Sequence, residues 1–146
     1  MAATSAPSPA TTALTTRLIS GVAGGLAGGV VFGVLMQMMG MLPMVAMLVG
    51  SESVPVGWVV HLAISAFISI TYALTFGKWA DRLAVGVLLG IGYGVVWWVL
   101  GALLLMPARM GMDVFMLNTM AWQSLLGHLL YGLILGVGYA LVQSRA

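Results

Sequence analysis

The sequence predicts an all-α integral membrane protein, a four-helix bundle made of two tandem two-helix repeats. Composition and an internal repeat are the two observations behind this prediction. Of the 146 residues, 62% are hydrophobic and 5% are charged, and the mean hydropathy is +1.13. Such a chain lacks the polar surface of a water-soluble domain. Because a spanning helix needs ~20 apolar residues, the length suits about four spans.

The internal repeat covers most of the chain. The pattern Arg-Leu-x-x-Gly-Val-x-x-Gly-x-x-x-Gly-Val-Val occupies residues 17–31 and returns at 82–96. A His-Leu pair, followed by Tyr-Ala-Leu eleven residues after the histidine, occurs at His61 and again at His128. We therefore predict one domain, 17–146, with repeat one at about 17–76 and repeat two at about 82–142.

The elements follow in order along the chain. Residues 1–16 contain only Met, Ala, Ser, Thr, Pro and Leu, a composition that cannot form a packed core, so we predict a flexible tail. Helices are the expected form of the apolar stretches because backbone in lipid must satisfy its own hydrogen bonds. The short segment 77–82 makes the second and third spans antiparallel neighbours. The four predicted spans are about 18–39, 56–76, 83–106 and 120–142.

Basic residues indicate the orientation. Four of the five lie beside the chain ends or in the 77–82 turn: Arg17, Lys78, Arg82 and Arg145. The positive-inside rule then predicts that both termini are cytoplasmic, in a prokaryotic cytoplasmic (inner) membrane. The two repeats have the same orientation under this topology, related by an axis along the membrane normal. The chain has only five basic residues, too few for a nucleic-acid surface. We therefore interpret them as a signal of membrane topology and expect no nucleic-acid partner.

Glycine recurs at every fourth residue on the first and third spans. Ladders of small residues let helix backbones approach each other in lipid, where packing drives association. We predict that these glycines form helix-packing faces. They are Gly21, Gly25, Gly29 and Gly33 on the first span and Gly86, Gly90 and Gly94 on the third.

The second and fourth spans each carry a polar stripe. Polar groups inside a membrane normally face the bundle interior, so we expect the two stripes to face each other. Both histidines then lie in the outer half of the membrane, and we expect Tyr72 and Tyr139 to be interfacial anchors. The α-helical period places His61, Ser65, Ser69 and Tyr72 on one stripe and Ser124, His128, Gly132, Gly136, Tyr139 and Gln143 on the other.

Two interpretations of His61 and His128 remain open. Both can form interhelical hydrogen bonds that fix helix register. Alternatively, neutral imidazoles on two helices can ligate a tetrapyrrole, with the glycine faces leaving room for a flat macrocycle. This plan resembles the four-helix cytochrome b bundle, in which histidines lie on the second and fourth helices. The resemblance implies one haem b at most, since that family has two histidines on each ligating helix; a chlorin could use the same pair.

Methionines gather in the two longer predicted loops. Thioether sulfur is a soft ligand that favours Cu(I), so a copper site on the side of the histidines is a further hypothesis. The alternative is that flexible methionine side chains fill gaps in an apolar fold. The methionines concerned are Met38, Met41, Met44 and Met47 in the first loop, and Met106, Met110, Met112, Met116 and Met120 in the second.

Little in the sequence points to catalysis. The three carboxylates, Glu52, Asp81 and Asp113, all lie in predicted loops without a paired partner for acid-base work. The chain has no cysteine, which excludes disulfides and thiolate metal sites.

Residues 128–136, His-Leu-Leu-Tyr-Gly-Leu-Ile-Leu-Gly, resemble a family of small four-span bacterial and archaeal membrane proteins that has no assigned function. This resemblance implies the fold and no particular chemistry. We therefore expect a non-catalytic accessory subunit, in contact with lipid and with the other subunits of a larger respiratory or photosynthetic complex. The alternatives are a bis-histidine tetrapyrrole protein for electron transfer or pigment binding, and a protein that handles Cu(I) on the periplasmic side.

Overall fold

A computed structural model describes residues 9–145, and the regular structure within that range is all helical. A 3₁₀ turn, Met47–Val49, follows α2, and a π-helical segment, Trp98–Leu105, connects α4 directly to α5. Four stretches are long and apolar enough to cross a membrane: 10–38, 54–76, 83–109 and 119–143. The α-helices are α1 (Pro9–Met38), α2 (Leu42–Ala46), α3 (Val54–Phe76), α4 (Leu83–Trp97), α5 (Met106–Arg109) and α6 (Thr119–Gln143).

The predicted spans agree with these helices, with differences at their starts. Helix α1 begins at Pro9, so residues 9–16 of the predicted tail are helical, while residues 1–8 lie outside the described range. Two later helices begin at polar caps. The Ser53 hydroxyl accepts from the Val56 amide at 3.4 Å, and the Asn118 side chain accepts from the Ala121 amide at 2.9 Å. Such caps satisfy amides that the first helical turn leaves unpaired.

Helices α1 and α6 form the centre of the bundle. Helix α1 packs against α3 on one side and α6 on the other, and α6 packs against α1 and α4. The order of the helices is therefore α3, α1, α6, α4. We call the end with segments 39–53 and 106–118 the loop end, and the end with the 77–82 turn the turn end.

The predicted glycine ladder of α1 packs against α3. A methyl group added to Gly29 would lie 2.6 Å from the Ser65 hydroxyl oxygen, and one on Gly21 would lie 2.8 Å from the Ser69 carbonyl oxygen. Gly25 faces the Ser69 side chain in the same way, and Gly33 faces the indole of Trp58. This face of α1 therefore has no space for a Cβ atom.

A second glycine pair on α1 packs against α6. A methyl group on Gly24 would lie 2.9 Å from the Leu135 carbonyl oxygen, and one on Gly28 would lie 2.9 Å from that of Tyr131. The doublets 24–25 and 28–29 supply one glycine to each neighbour, because adjacent helical residues point about 100° apart. These doublets allow α1 to contact two helices closely at once.

The ladder of α4 packs against glycines and backbone of α6. Gly86 faces the carbonyl of Gly136, Gly90 faces that of Gly132, and Gly94 faces that of His128. Glycine on both sides brings the two backbones into direct contact, which strengthens dispersion packing where lipid removes the hydrophobic driving force.

Helices α3 and α4 meet through large side chains and have few close backbone contacts. The Tyr93 hydroxyl donates to the Ile68 carbonyl at 3.2 Å and lies 2.6 Å from the Thr71 hydroxyl. The Phe67 and Trp97 rings, with centroids 6.3 Å apart, fill the seam further along. The 77–82 turn does join antiparallel helices, but aromatic rings separate them.

We expect Gly90→Ala to lower the free energy of unfolding by about 1–3 kcal/mol, because the new methyl group would overlap the Gly132 carbonyl. Gly92→Ala is the matched control: it lies on the same helix, and a methyl group there meets no atom within 4 Å. Thermal or denaturant unfolding in detergent measures both. Equal stability of the two variants would contradict the close contact between α4 and α6.

Candidate functional site

The two histidines both pack against one phenylalanine ring. His61 on α3 and His128 on α6 are both in the half of the bundle nearer the loop end. The Phe32 ring of α1 packs edge-on against each imidazole, with centroid distances of 5.3 Å to His61 and 4.9 Å to His128. Phe32 has room for this position because its ring lies directly over Gly127, the residue before His128.

Each histidine uses one ring nitrogen in a hydrogen bond to backbone. His61 Nε2 lies 2.9 Å from the carbonyl oxygen of Gly29 on α1, and His128 Nδ1 lies 2.8 Å from that of Ser124, one turn earlier on α6. A carbonyl oxygen only accepts, so His61 donates from Nε2 and His128 donates from Nδ1. The bond of His61 joins two helices, whereas the bond of His128 stays within one.

This arrangement does not fit a bis-histidine tetrapyrrole. Two axial ligands must present imidazole nitrogens to one metal from opposite faces of a macrocycle. Phe32 packs against both imidazole rings, and Nε2 of His61 is already hydrogen-bonded to the Gly29 carbonyl. The glycine faces were expected to leave room for the macrocycle, but neighbouring helices pack directly against them. The geometry matches the alternative interpretation, in which the histidines take part in helix packing.

The two polar stripes were predicted to face each other, and they meet only at the turn end, where the Tyr72 and Tyr139 rings are in contact. The stripe of α3 faces the glycine ladder of α1, and the stripe of α6 faces the ladder of α4. The physical reason is complementarity, since small side chains and bare backbone carbonyls fit a glycine face. A side chain outside both stripes links α6 to α3: the hydroxyl of Tyr131 donates to the Ser65 carbonyl at 2.7 Å.

The expectation that Tyr72 and Tyr139 are interfacial anchors is wrong. Both side chains are completely buried, and their ring centroids lie 5.6 Å apart. The hydroxyl of Tyr72 donates to the Gly86 carbonyl at 3.0 Å, and that of Tyr139 donates to the Gly77 carbonyl at 3.1 Å. These tyrosines form the core at the turn end because backbone carbonyls there accept their hydroxyl protons.

Methionines from both predicted loops line one cleft at the loop end. Its volume is about 510 Å³, and Asp113, Asn118 and Ser124 are its polar lining residues. We call it the methionine cleft. Its methionines are Met36, Met41, Met44, Met106, Met110, Met112, Met116 and Met120.

The two methionine groups were predicted separately, and the fold brings most of their members together. All five of the second group line the cleft, as do Met41 and Met44 of the first. Met38 and Met47 lie outside the cleft lining and are 79% and 46% exposed. Met36, which the sequence analysis did not single out, lies at the cleft and is 8% exposed.

Sequence reasoning missed several residues that position the site. Nothing in the sequence distinguished Phe32 from the other aromatic residues, because the helical period does not show which ring packs against both histidines. The Gly24–Gly25 and Gly28–Gly29 doublets did carry a signal, since two adjacent ladders imply two close neighbours. Tyr131 was visible only as part of the quoted 128–136 segment.

Comparisons of this chain with protein-family models, with curated proteins and with solved structures gave no match. The resemblance to small four-span membrane proteins therefore stays a prediction.

We expect His61→Gln to keep the free energy of unfolding within about 0.5 kcal/mol of the native value, because an amide N–H can still donate to Gly29. His61→Leu should lower it by about 1 kcal/mol, since the donor is lost at similar volume. Unfolding in detergent compares the variants. An equal loss in both would show that the hydrogen bond is not what His61 contributes.

Proposed function

We propose that this chain is a non-catalytic membrane subunit whose buried polar groups hold helices together. The observation that carries the proposal is the set of hydrogen bonds between helices: among residues 9–145, the buried His61 bonds to the Gly29 carbonyl of α1, whereas the buried serines Ser20, Ser65 and Ser69 bond to carbonyls of their own helices. The buried hydroxyls of Tyr72, Tyr131 and Tyr139 each donate to a carbonyl oxygen outside their own helix. Hydrogen bonds of this kind fix helix register.

We also propose that the bundle is built from two tandem helix pairs, as the repeated sequence predicts. Matched contacts support this. Gly21 approaches the Ser69 carbonyl and the Ala73 methyl group. At the corresponding positions of the second repeat, Gly86 approaches the Gly136 carbonyl and the Ala140 methyl group. In each pair, therefore, the first helix packs on the second through residues at corresponding positions of the repeat.

The two pairs differ in how they meet each other. Residues 24 and 28 of the first repeat are glycines, and they place α1 directly on α6. The corresponding residues of the second repeat are Leu89 and Tyr93, and Tyr93 instead bridges α4 to α3 with its hydroxyl. This difference between the two repeats explains why the α1–α6 seam is narrow and the α3–α4 seam is filled with aromatic rings.

For orientation we propose cytoplasmic termini in a prokaryotic inner membrane. The support is the set of basic residues: Arg17, Lys78 and Arg82 all lie at the turn end, next to both chain ends of the helical bundle. The positive-inside rule places that end in the cytoplasm. The loop end, with the methionine cleft, then faces the periplasm.

A groove between α1 and α6 is the proposed contact with a partner subunit. It has a volume of about 440 Å³ and combines small residues with apolar side chains. We propose that a transmembrane helix of a larger complex occupies it, because small residues allow close helix approach in lipid. Its lining residues are Ala23, Gly24, Ala27, Leu133, Ile134, Val137, Gly138 and Val142.

A photoreactive amino acid at residue 27 should give a discrete protein adduct in native membranes, identified by mass spectrometry as another membrane subunit. Residue 92 is the matched control, since it is the corresponding position of the second repeat and is also exposed. We expect only lipid adducts there. Lipid adducts alone at residue 27, or a dimer of this chain, would contradict a partner helix in the groove.

A further inference from the structure

We propose that the methionine cleft binds Cu(I) through thioether sulfur atoms. The cleft lies at the opposite end of the bundle from the Tyr72–Tyr139 contact, and it plays no part in the helix packing described above. The inference is therefore independent of the partner-subunit proposal.

The donor set of the cleft selects for soft metal ions. Thioether sulfur is neutral and polarizable, and it binds Cu(I) in preference to hard ions such as Mg²⁺ and Ca²⁺. Residues 9–145 contain no group of three or more His, Cys, Asp or Glu side chains placed to hold a metal ion. Zn²⁺, which needs such ligands, should therefore bind poorly.

Exposure within the cleft is graded from its mouth to its base. Met112 and Met116 are 52% and 55% exposed, whereas Met36 and Met41 are 8% and 5% exposed. An ion arriving from solvent would meet accessible thioethers first and buried ones deeper. Methionine has three rotatable bonds, so neighbouring side chains can close around an ion that is much smaller than the cleft.

Gap filling accounts for only part of this distribution, since Met36 and Met41 belong to the hydrophobic core, whereas other cleft methionines are exposed. A methionine that fills a packing gap is buried among apolar neighbours. Here, Met112, Met116 and Met120 are all more than 40% exposed, around a cavity of about 510 Å³. Met112 and Met116 lie outside the candidate membrane spans, so their exposed thioethers are accessible there to an ion from water.

Charge in the cleft is compatible with a monovalent cation. Thioethers leave the +1 charge of Cu(I) uncompensated, and a cation surrounded only by neutral, low-dielectric groups is costly. The carboxylate of Asp113 lies in the cleft lining and offsets that charge.

The test is competition for Cu(I) between the purified full-length protein and a coloured Cu(I) chelator. We expect the protein to withdraw about one Cu(I) per chain, to bind Ag(I) at the same site and to ignore Zn²⁺. X-ray absorption of the copper-loaded protein should show sulfur in the first coordination shell. Failure to withdraw Cu(I), or a shell of nitrogen and oxygen only, would overturn the proposal.

Matched variants locate the site. Met36→Leu/Met41→Leu/Met44→Leu removes three thioethers at nearly constant volume, and should weaken Cu(I) binding at least tenfold. Met38→Leu/Met47→Leu removes two exposed thioethers outside the cleft lining, and should leave binding unchanged. If the first variant fails to fold, Met110→Leu/Met112→Leu/Met116→Leu tests the more open part. An equal loss in the control, or unaltered binding in a folded cleft variant, would refute the assignment.

Discussion

Direct contact between helix backbones at glycine is the interaction on which this structure depends. In lipid, apolar helices gain nothing by leaving water, so their association relies on packing and on hydrogen bonds between helices. Gly90 against Gly132 and Gly29 against Ser65 bring backbones close enough for both. The hydrogen bond from His61 to the Gly29 carbonyl is a consequence, because a Cβ on residue 29 would keep α3 away.

The sequence predicts the spans and the glycine ladders well, since both follow from local properties. Apolar length determines which segments can cross a membrane, and a fourfold spacing of glycine identifies a packing face whatever its partner is. The partner itself is a tertiary property. The helical period places Ser65 and Ser69 on one stripe, but it does not say that α1 covers that stripe in place of α6.

The candidate site also combines features that the local sequence predicts with features that depend on tertiary packing. His61 and His128 were predicted at similar depth, and both rings contact the same phenylalanine. That the ring is Phe32 depends on how α1 is rotated between two neighbours, which the Gly24 and Gly28 contacts determine. The convergence of two methionine groups likewise required the positions of both loops. The two histidines occupy corresponding positions of the proposed repeat, and Leu89 and Tyr93, where the first repeat has glycines, make the two seams differ.

We propose that His61 and His128 take part in helix packing in place of binding a pigment or haem. The absorption spectrum of the full-length protein, purified gently from native membranes, tests this most directly. We expect a spectrum with only the aromatic protein band. A haem or chlorin band that His61→Gln or His128→Gln abolishes, in protein that remains folded, would contradict it.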